Sequence, residues 1–183
     1  MIRILILMLF AFPAWAQAPY AGLDKRAIKS LSEAEIGELR AAQGMKLALP
    51  AELNRHPGPR HALELAAELR LDHRQRSETG AIEARMTAAT KSAGERVIAA
   101  EAELDRIFAQ GTPEDAAIAK ATAAAGAAWA ELRAAHLAAH SAMTRLLTPQ
   151  QIARYAELRG YGGSDSGAAP APTHQGHGGH RRH

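Results

Sequence analysis

The chain contains no cysteine, and only 4% of its 183 residues are aromatic. The missing thiols exclude a disulfide framework, a cysteine nucleophile and a lipid-anchoring cysteine. With so few rings, the 47% apolar content is mostly Ala and Leu, a mixture that suits long, closely spaced helices better than a sheet. The one sustained apolar run, residues 4–12, is too short to span a bilayer. Preceded by Arg3 and followed by Pro13 and Ala14-Trp15-Ala16, it matches a secretory signal peptide over residues 1–16 with cleavage after Ala16. A periplasmic location follows from that expectation, with no stable membrane anchor. The formal charge of +3 and the pI near 9.5 are mild and do not imply nucleic acid.

Punctuation divides the remainder. Residues 17–30 read as an extended arm, and residues 31–160 as a helical domain. A first helix is expected over 32–43, stopped by Gly44, and a short helical turn within 47–54. His56-Pro57-Gly58-Pro59 denies the backbone a helical path. The rhythm of Leu63, Ala66, Ala67 and Leu69 predicts a second helix over 60–70. Two helices of roughly 35 residues, each on the order of 50 Å long, should then form an antiparallel hairpin. The first starts at Asp72 and ends near Ala109; the second starts at Thr112, with Pro113 at its first position, and ends near Leu146. Their seam is predicted at Ile82, Met86, Ala93, Val97, Leu104 and Phe108 on one arm. On the other it is Ile118, Ala125, Trp129, Leu132, His136, Met143 and Leu147. Two helices alone bury too little surface, so the shorter helices or a second subunit must cover them. Beyond Gly160 the Gly, Ser, Ala, Pro and His composition predicts a disordered tail over 161–183.

One local pattern occurs three times: Leu31-Ser32-Glu33-Ala34-Glu35, Leu71-Asp72-His73-Arg74-Gln75 and Leu147-Thr148-Pro149-Gln150-Gln151. Each places a hydroxyl or carboxylate at a helix N-cap and a Glu or Gln three residues later, the spacing of a capping box. The leading leucine can staple onto the residue four after the cap, Ile36 in the first copy and Ile152 in the last. In the middle copy that residue is Arg76, so the staple is lost.

These elements resemble the Spy/CpxP family of periplasmic Leu-Thr-x-x-Gln proteins, which has zinc-resistance and heavy-metal-sensing relatives. The resemblance rests on Leu147, Thr148 and Gln151, with Leu71, Asp72 and Gln75 where a second motif is expected and Asp72 in place of Thr. It implies an all-α fold in which the hairpin and its flanking helices form a dimeric cradle. It also implies an ATP-independent chaperone or envelope-stress modulator, with unfolded periplasmic proteins or a sensor kinase domain as partners. No G-x-x-x-x-G-K-[ST] loop is present to hold a triphosphate. Candidate client-binding positions are Arg70, Arg74, Arg76, Arg85, Lys91 and Arg96; the alternative is a merely solvated helix face.

The histidines offer a second chemistry. His136 and His140 project from one helix face, with Met143 a turn on, a donor set suited to zinc, copper, cobalt or nickel. Missing ligands would come from His61, Glu64, Met86 or a second subunit. Alternatively, His136 packs in the seam with its ring N–H satisfied while His140 points to solvent. In the tail, His174, His177, His180 and His183 recur every third residue and read as a weak metal-capturing strand; the alternatives are a polar solubilising tail or a tag, the latter disfavoured by the interrupting Gly, Gln and Arg. A catalytic constellation is not expected, since Ser141 beside His140 lacks the strand-turn-helix elbow of a hydrolase. No cofactor is required by this reading.

Overall fold

The computed structural model describes residues 20–161. The expected signal peptide and most of the expected tail therefore lie outside the described residues. The described chain is mostly helical and contains no strand. After one 3-10 turn, Leu23–Lys25, six helices follow: α1 Glu33–Arg40, α2 Leu49–Glu52, α3 Pro59–Glu64, α4 His73–Ala109, α5 Asp115–Leu146 and α6 Pro149–Leu158.

All three anticipated capping boxes form. The Ser32 hydroxyl accepts from the Glu35 N–H (3.2 Å) and the Glu35 carboxylate accepts from the Ser32 N–H (2.8 Å). The Ser32 hydroxyl and backbone N–H hold the Glu35 carboxyl below its ordinary pKa. Asp72 and Gln75 repeat the exchange at 2.7 and 3.3 Å, and Thr148 and Gln151 at 3.2 and 2.9 Å. Where the middle staple is lost, Arg76 turns back and donates its Nε to the Leu71 carbonyl at 3.1 Å. A charged side chain thus replaces an apolar contact with a hydrogen bond over the same turn.

Helix ends depart more from expectation. α1 stops at Arg40, and the left-handed residue is Ala42 (φ 55°), not Gly44. The Gln43 N–H reaches Glu38 O and the Ala42 N–H reaches Leu39 O, the paired bonds of a Schellman motif. The same pair of bonds closes the chain around Arg55 (φ 64°), Arg70 (φ 51°) and Gly160 (φ 76°). Three of these four caps use non-glycine residues, so local geometry costing about 1 kcal/mol each is tolerated there. The predicted second helix is helical only to Glu64 and continues as turns to Arg70, beyond which Leu71 is buried like Ala62, Ala66 and Leu69. Arg70 redirects the backbone between the two leucines. α5 begins at Asp115, with the Glu114 carbonyl receiving its first bond, so Thr112 and Pro113 precede the cap and do not form it.

The described chain divides into two compact units, and α4 and α5 contribute to both. The first comprises residues 20–43 and 91–130. Its interior is Ile28, Leu31, Ile36 and Leu39 with Ala93, Val97, Ala121, Ala125 and Ala128. Gly94 is required there: a Cβ would lie 2.7 Å from the Leu39 carbonyl oxygen. Glu101 ties the unit together by accepting from Trp129 Nε1 and from the Ser30 hydroxyl, both at 2.8 Å. Three predicted seam residues, Leu104, Ile118 and Trp129, are only half-buried, and Phe108 is 54% exposed. The arm's ion pair reaches α4 at Asp105, through Lys29 at 3.5 Å, and Phe108 lies nearly a turn beyond it.

The second unit comprises residues 44–90 and 131–161. Its core joins Ala62, Ala66, Leu69 and Leu71 to Ile82 and Met86 of α4, Ala139 and Met143 of α5, Leu147, and Tyr155 of α6. Ile152 packs against this cluster, completing the staple with Leu147.

Candidate functional site

The motif glutamines meet in the second unit. Gln75 Nε2 donates to Gln151 Oε1 at 2.8 Å, and Gln151 Nε2 donates to Gln75 Oε1 at 2.9 Å. The remaining amide hydrogens go to Leu146 O (3.4 Å) and Leu69 O (3.2 Å). Each amide oxygen also accepts the N–H of its own cap residue. Both glutamines therefore use two donors and two acceptor positions, the full capacity of an amide, and that network fixes which way each amide points. Leu71, Asp72, Gln75, Leu147, Thr148 and Gln151 form a structural clasp with no hydrogen-bonding capacity left on either amide.

A second polar cluster, which the sequence did not reveal, lies around Glu52 at the end of α2. Its carboxylate is buried, and Oε1 accepts from Tyr155 Oη (2.7 Å), Tyr161 Oη (3.1 Å) and Arg159 Nε (3.3 Å). Tyr155 Oη also accepts the Gly58 N–H at 3.2 Å. Burial, followed by its bond to Glu52, raises the Tyr155 pKa well above its ordinary value, so the phenol stays protonated and remains a donor. The guanidinium of Arg159 stands over the Tyr161 ring at 5.8 Å and supplies the charge a buried carboxylate needs. A signal existed in the composition. Tyr155 and Tyr161 are two of only three tyrosines in the chain, and a buried phenol requires a partner.

Both hairpin histidines belong to this unit and both are buried. His140, expected at solvent if it were not a ligand, is held inside because its Nδ1 donates to the His56 carbonyl at 2.8 Å, with Glu52 Oε2 3.5 Å away. At that longer distance the carboxylate acts as a nearby charge and the carbonyl is the acceptor. The Thr144 hydroxyl donates to the His140 carbonyl at 3.0 Å, so the 2.9 Å contact from His56 Nδ1 to Thr144 Oγ1 makes that nitrogen the donor. His136 packs in the seam, but its Nε2 is buried with no hydrogen-bond partner. Burial first, then the neighbouring His140 and Arg60, lower its pKa and keep the ring neutral.

These contacts decide what could hold a metal. His140 donates one ring nitrogen to a carbonyl, leaving Nε2 free in the manner of an oriented ligand, and His136 presents an unsatisfied nitrogen. Met143 is fully buried one turn on. Among the described residues, however, no three His, Cys, Asp or Glu side chains come together as a metal-ligating group. His61 pairs with Glu64 at 2.9 Å at the surface, and Met86 belongs to the core cluster. The tail residues His174, His177, His180 and His183 lie outside the described residues.

The candidate client-binding cations separate. Arg70, Arg74, Arg76 and Arg85 are exposed in the second unit, while Lys91 and Arg96 are exposed in the first. Arg70 is a helix-cap residue, Arg74 pairs with Glu78 at 2.9 Å, Arg76 bonds Leu71 O, and Arg96 donates to Ser92 at 2.8 Å. Arg85 differs. It stands at an open groove of about 240 Å³ lined by Ile82, Met86 and Ala89 of α4 and Ala135, Ala139 and Ala142 of α5.

No family model matches the chain, and neither a curated protein nor a solved structure matches it.

Proposed function

We propose that the chain is a periplasmic, ATP-independent chaperone or envelope-stress modulator of the Spy/CpxP type, built on a long helical hairpin that pairs into a dimeric cradle. Its work is to bind partly unfolded chains or a partner's exposed segment. The observation that carries this reading is the apolar groove of the second unit, open to solvent, with Arg85 at its rim. A shallow surface of short side chains and Met gives weak, sequence-tolerant binding, as a holding function needs. The clasp between Gln75 and Gln151 supports the family assignment, because it gives a structural reason for two Leu-x-x-x-Gln elements in one domain. Residues 17–183, mixed with a denatured client without nucleotide, should suppress light scattering at near-stoichiometric ratios. Absence of suppression at every ratio would remove the proposal.

The unsatisfied Nε2 of His136 favours a second reading, a heavy-metal-binding resistance or sensor protein. Two imidazoles and Met143 would supply N, N and S donors, and water or a second subunit would complete the set for zinc, copper or nickel. Equilibrium dialysis should then show binding that falls in His136→Ala/His140→Ala and survives in a chain ending at Gly163. Equal, millimolar binding by all forms would reject it.

A further inference from the structure

Arg85, like Arg55 and Arg70, has no ion-pair partner among the described residues, and it stands beside an apolar groove. Along α4 its neighbours three and four residues away are Ala81, Ile82, Ala88 and Ala89, so no carboxylate stands where an intrahelical ion pair would form. Glu83, the nearest acid in sequence, is engaged by Arg60 at 3.4 Å. Arg74 and Arg154, by contrast, have Glu78 and Glu157 within 3.0 Å. The cation therefore faces a groove whose floor is Ile82, Met86 and Ala139, each less than a tenth exposed. Alanines at 135, 138, 139 and 142 leave the α5 wall low, with room for side chains arriving from outside. The described part of the unit reinforces the sign, with eleven Lys and Arg against eight Asp and Glu.

We infer that this groove selects segments in which an apolar side chain is flanked by a carboxylate, and that Arg85 is the residue that sets the preference. The inference rests on the client-binding reading above and adds to it the class of segment bound. The apolar side chain settles over Ile82, Met86 and Ala139, and the surface removed from water is its own and that of the more exposed Ala89, Ala135, Ala138 and Ala142. The carboxylate then meets a guanidinium that has no other ion-pair partner among the described residues, at a rim partly shielded by the ligand itself. Such a pair contributes on the order of 1 kcal/mol, about fivefold in affinity.

The test uses four fluorescent peptides of equal length and residues 17–183. Three carry the same leucines flanked by Asp, Ser or Lys, and the fourth keeps the Asp flanks with Ser replacing each leucine. Anisotropy titrations should rank Asp-flanked leucine first by about fivefold over Ser-flanked, with the leucine-free peptide weakest. Arg85→Ala should level the Asp and Ser peptides, and Arg85→Glu should invert the order of Asp and Lys. Arg85 is exposed, so both variants should fold, and circular dichroism verifies it. Equal binding of all leucine peptides with no effect of Arg85→Glu would overturn the inference while leaving client binding intact. Tighter binding of laurate than of any peptide, lost in Arg85→Glu, would reassign the groove to anionic amphiphiles and also overturn it. Failure of every peptide together with failure to suppress aggregation would locate the error in the underlying reading.

Discussion

The two units share α4 and α5 yet are held together by different physics. In the first, close approach does the work: Gly94 lets the end of α1 touch α4, alanines line the interior, and polar bonds such as those of Glu101 lie toward the outside. In the second, polar groups are carried inward. The buried His136 and His140, the Gln75–Gln151 clasp and the Glu52 cluster lie there. Its described residues also carry a cationic excess, whereas the first unit has eight Lys and Arg against ten Asp and Glu. A helix pair that only needs to pack can be Ala, Gly and a few large side chains. A unit that presents chemistry needs buried polar groups, and among the described residues these find partners at their own positions, the side-chain atoms His136 Nε2 and Thr79 Oγ1 excepted.

That contrast can be broken by experiment. The largest effect is expected from Glu52→Ala, which leaves Tyr155, Tyr161 and Arg159 without their common acceptor. A loss of about 3 kcal/mol should appear in urea denaturation, with hydrogen exchange accelerating first in α2 and α6. In the first unit, Gly94→Ala drives a Cβ against backbone at Leu39 and should cost about 1–3 kcal/mol, read as faster exchange in α1. If Gly94→Ala proves the more damaging, the division between packed and polar units is wrong. Gln151→Ala strands two hydrogen bonds of Gln75 and should cost about 1–2 kcal/mol. Because the two amides satisfy each other, the Gln75→Ala/Gln151→Ala double variant should cost less than the sum of the singles. Additive losses would mean the clasp is not a unit.

The smallest effect concerns pH. The folded pKa of His136 lies below its ordinary value of 6.5, so on acidification the unfolded chain takes up that proton first. The His136 contribution is therefore fully present above about pH 7 and is lost as pH falls from 6.5 through the folded pKa, by at most about 1.4 kcal/mol per pH unit. Thermal melts of wild type and His136→Gln should diverge below pH 6.5 and run parallel above it. Parallel curves throughout would show that the buried nitrogen is satisfied by something else.

The helical class, the three capped starts and a break at 56–58 could be read along the chain, because each depends on residues within one turn of each other; Pro59, expected within the break, is instead the first residue of α3. Other features could not. Arg70 looks like a surface cation and is the left-handed cap of an irregular turn. Thr112-Pro113 carries the signature of a helix start and stands just outside one. His140 reads as solvent-facing unless it is a ligand, and it is enclosed because the His56 carbonyl, 84 positions earlier, accepts its ring N–H.

Sequence alone thus determined where three of the six helices begin, at Ser32, Asp72 and Thr148, because a cap and its partner three residues later make their bonds locally. Tertiary structure decided what those caps are joined to. Only folding brings Gln75 to Gln151 across 76 positions and Glu52 to Tyr155 across 103. Whether a buried polar group is a partner, a ligand or an orphan depends on that distant company, which no local pattern encodes.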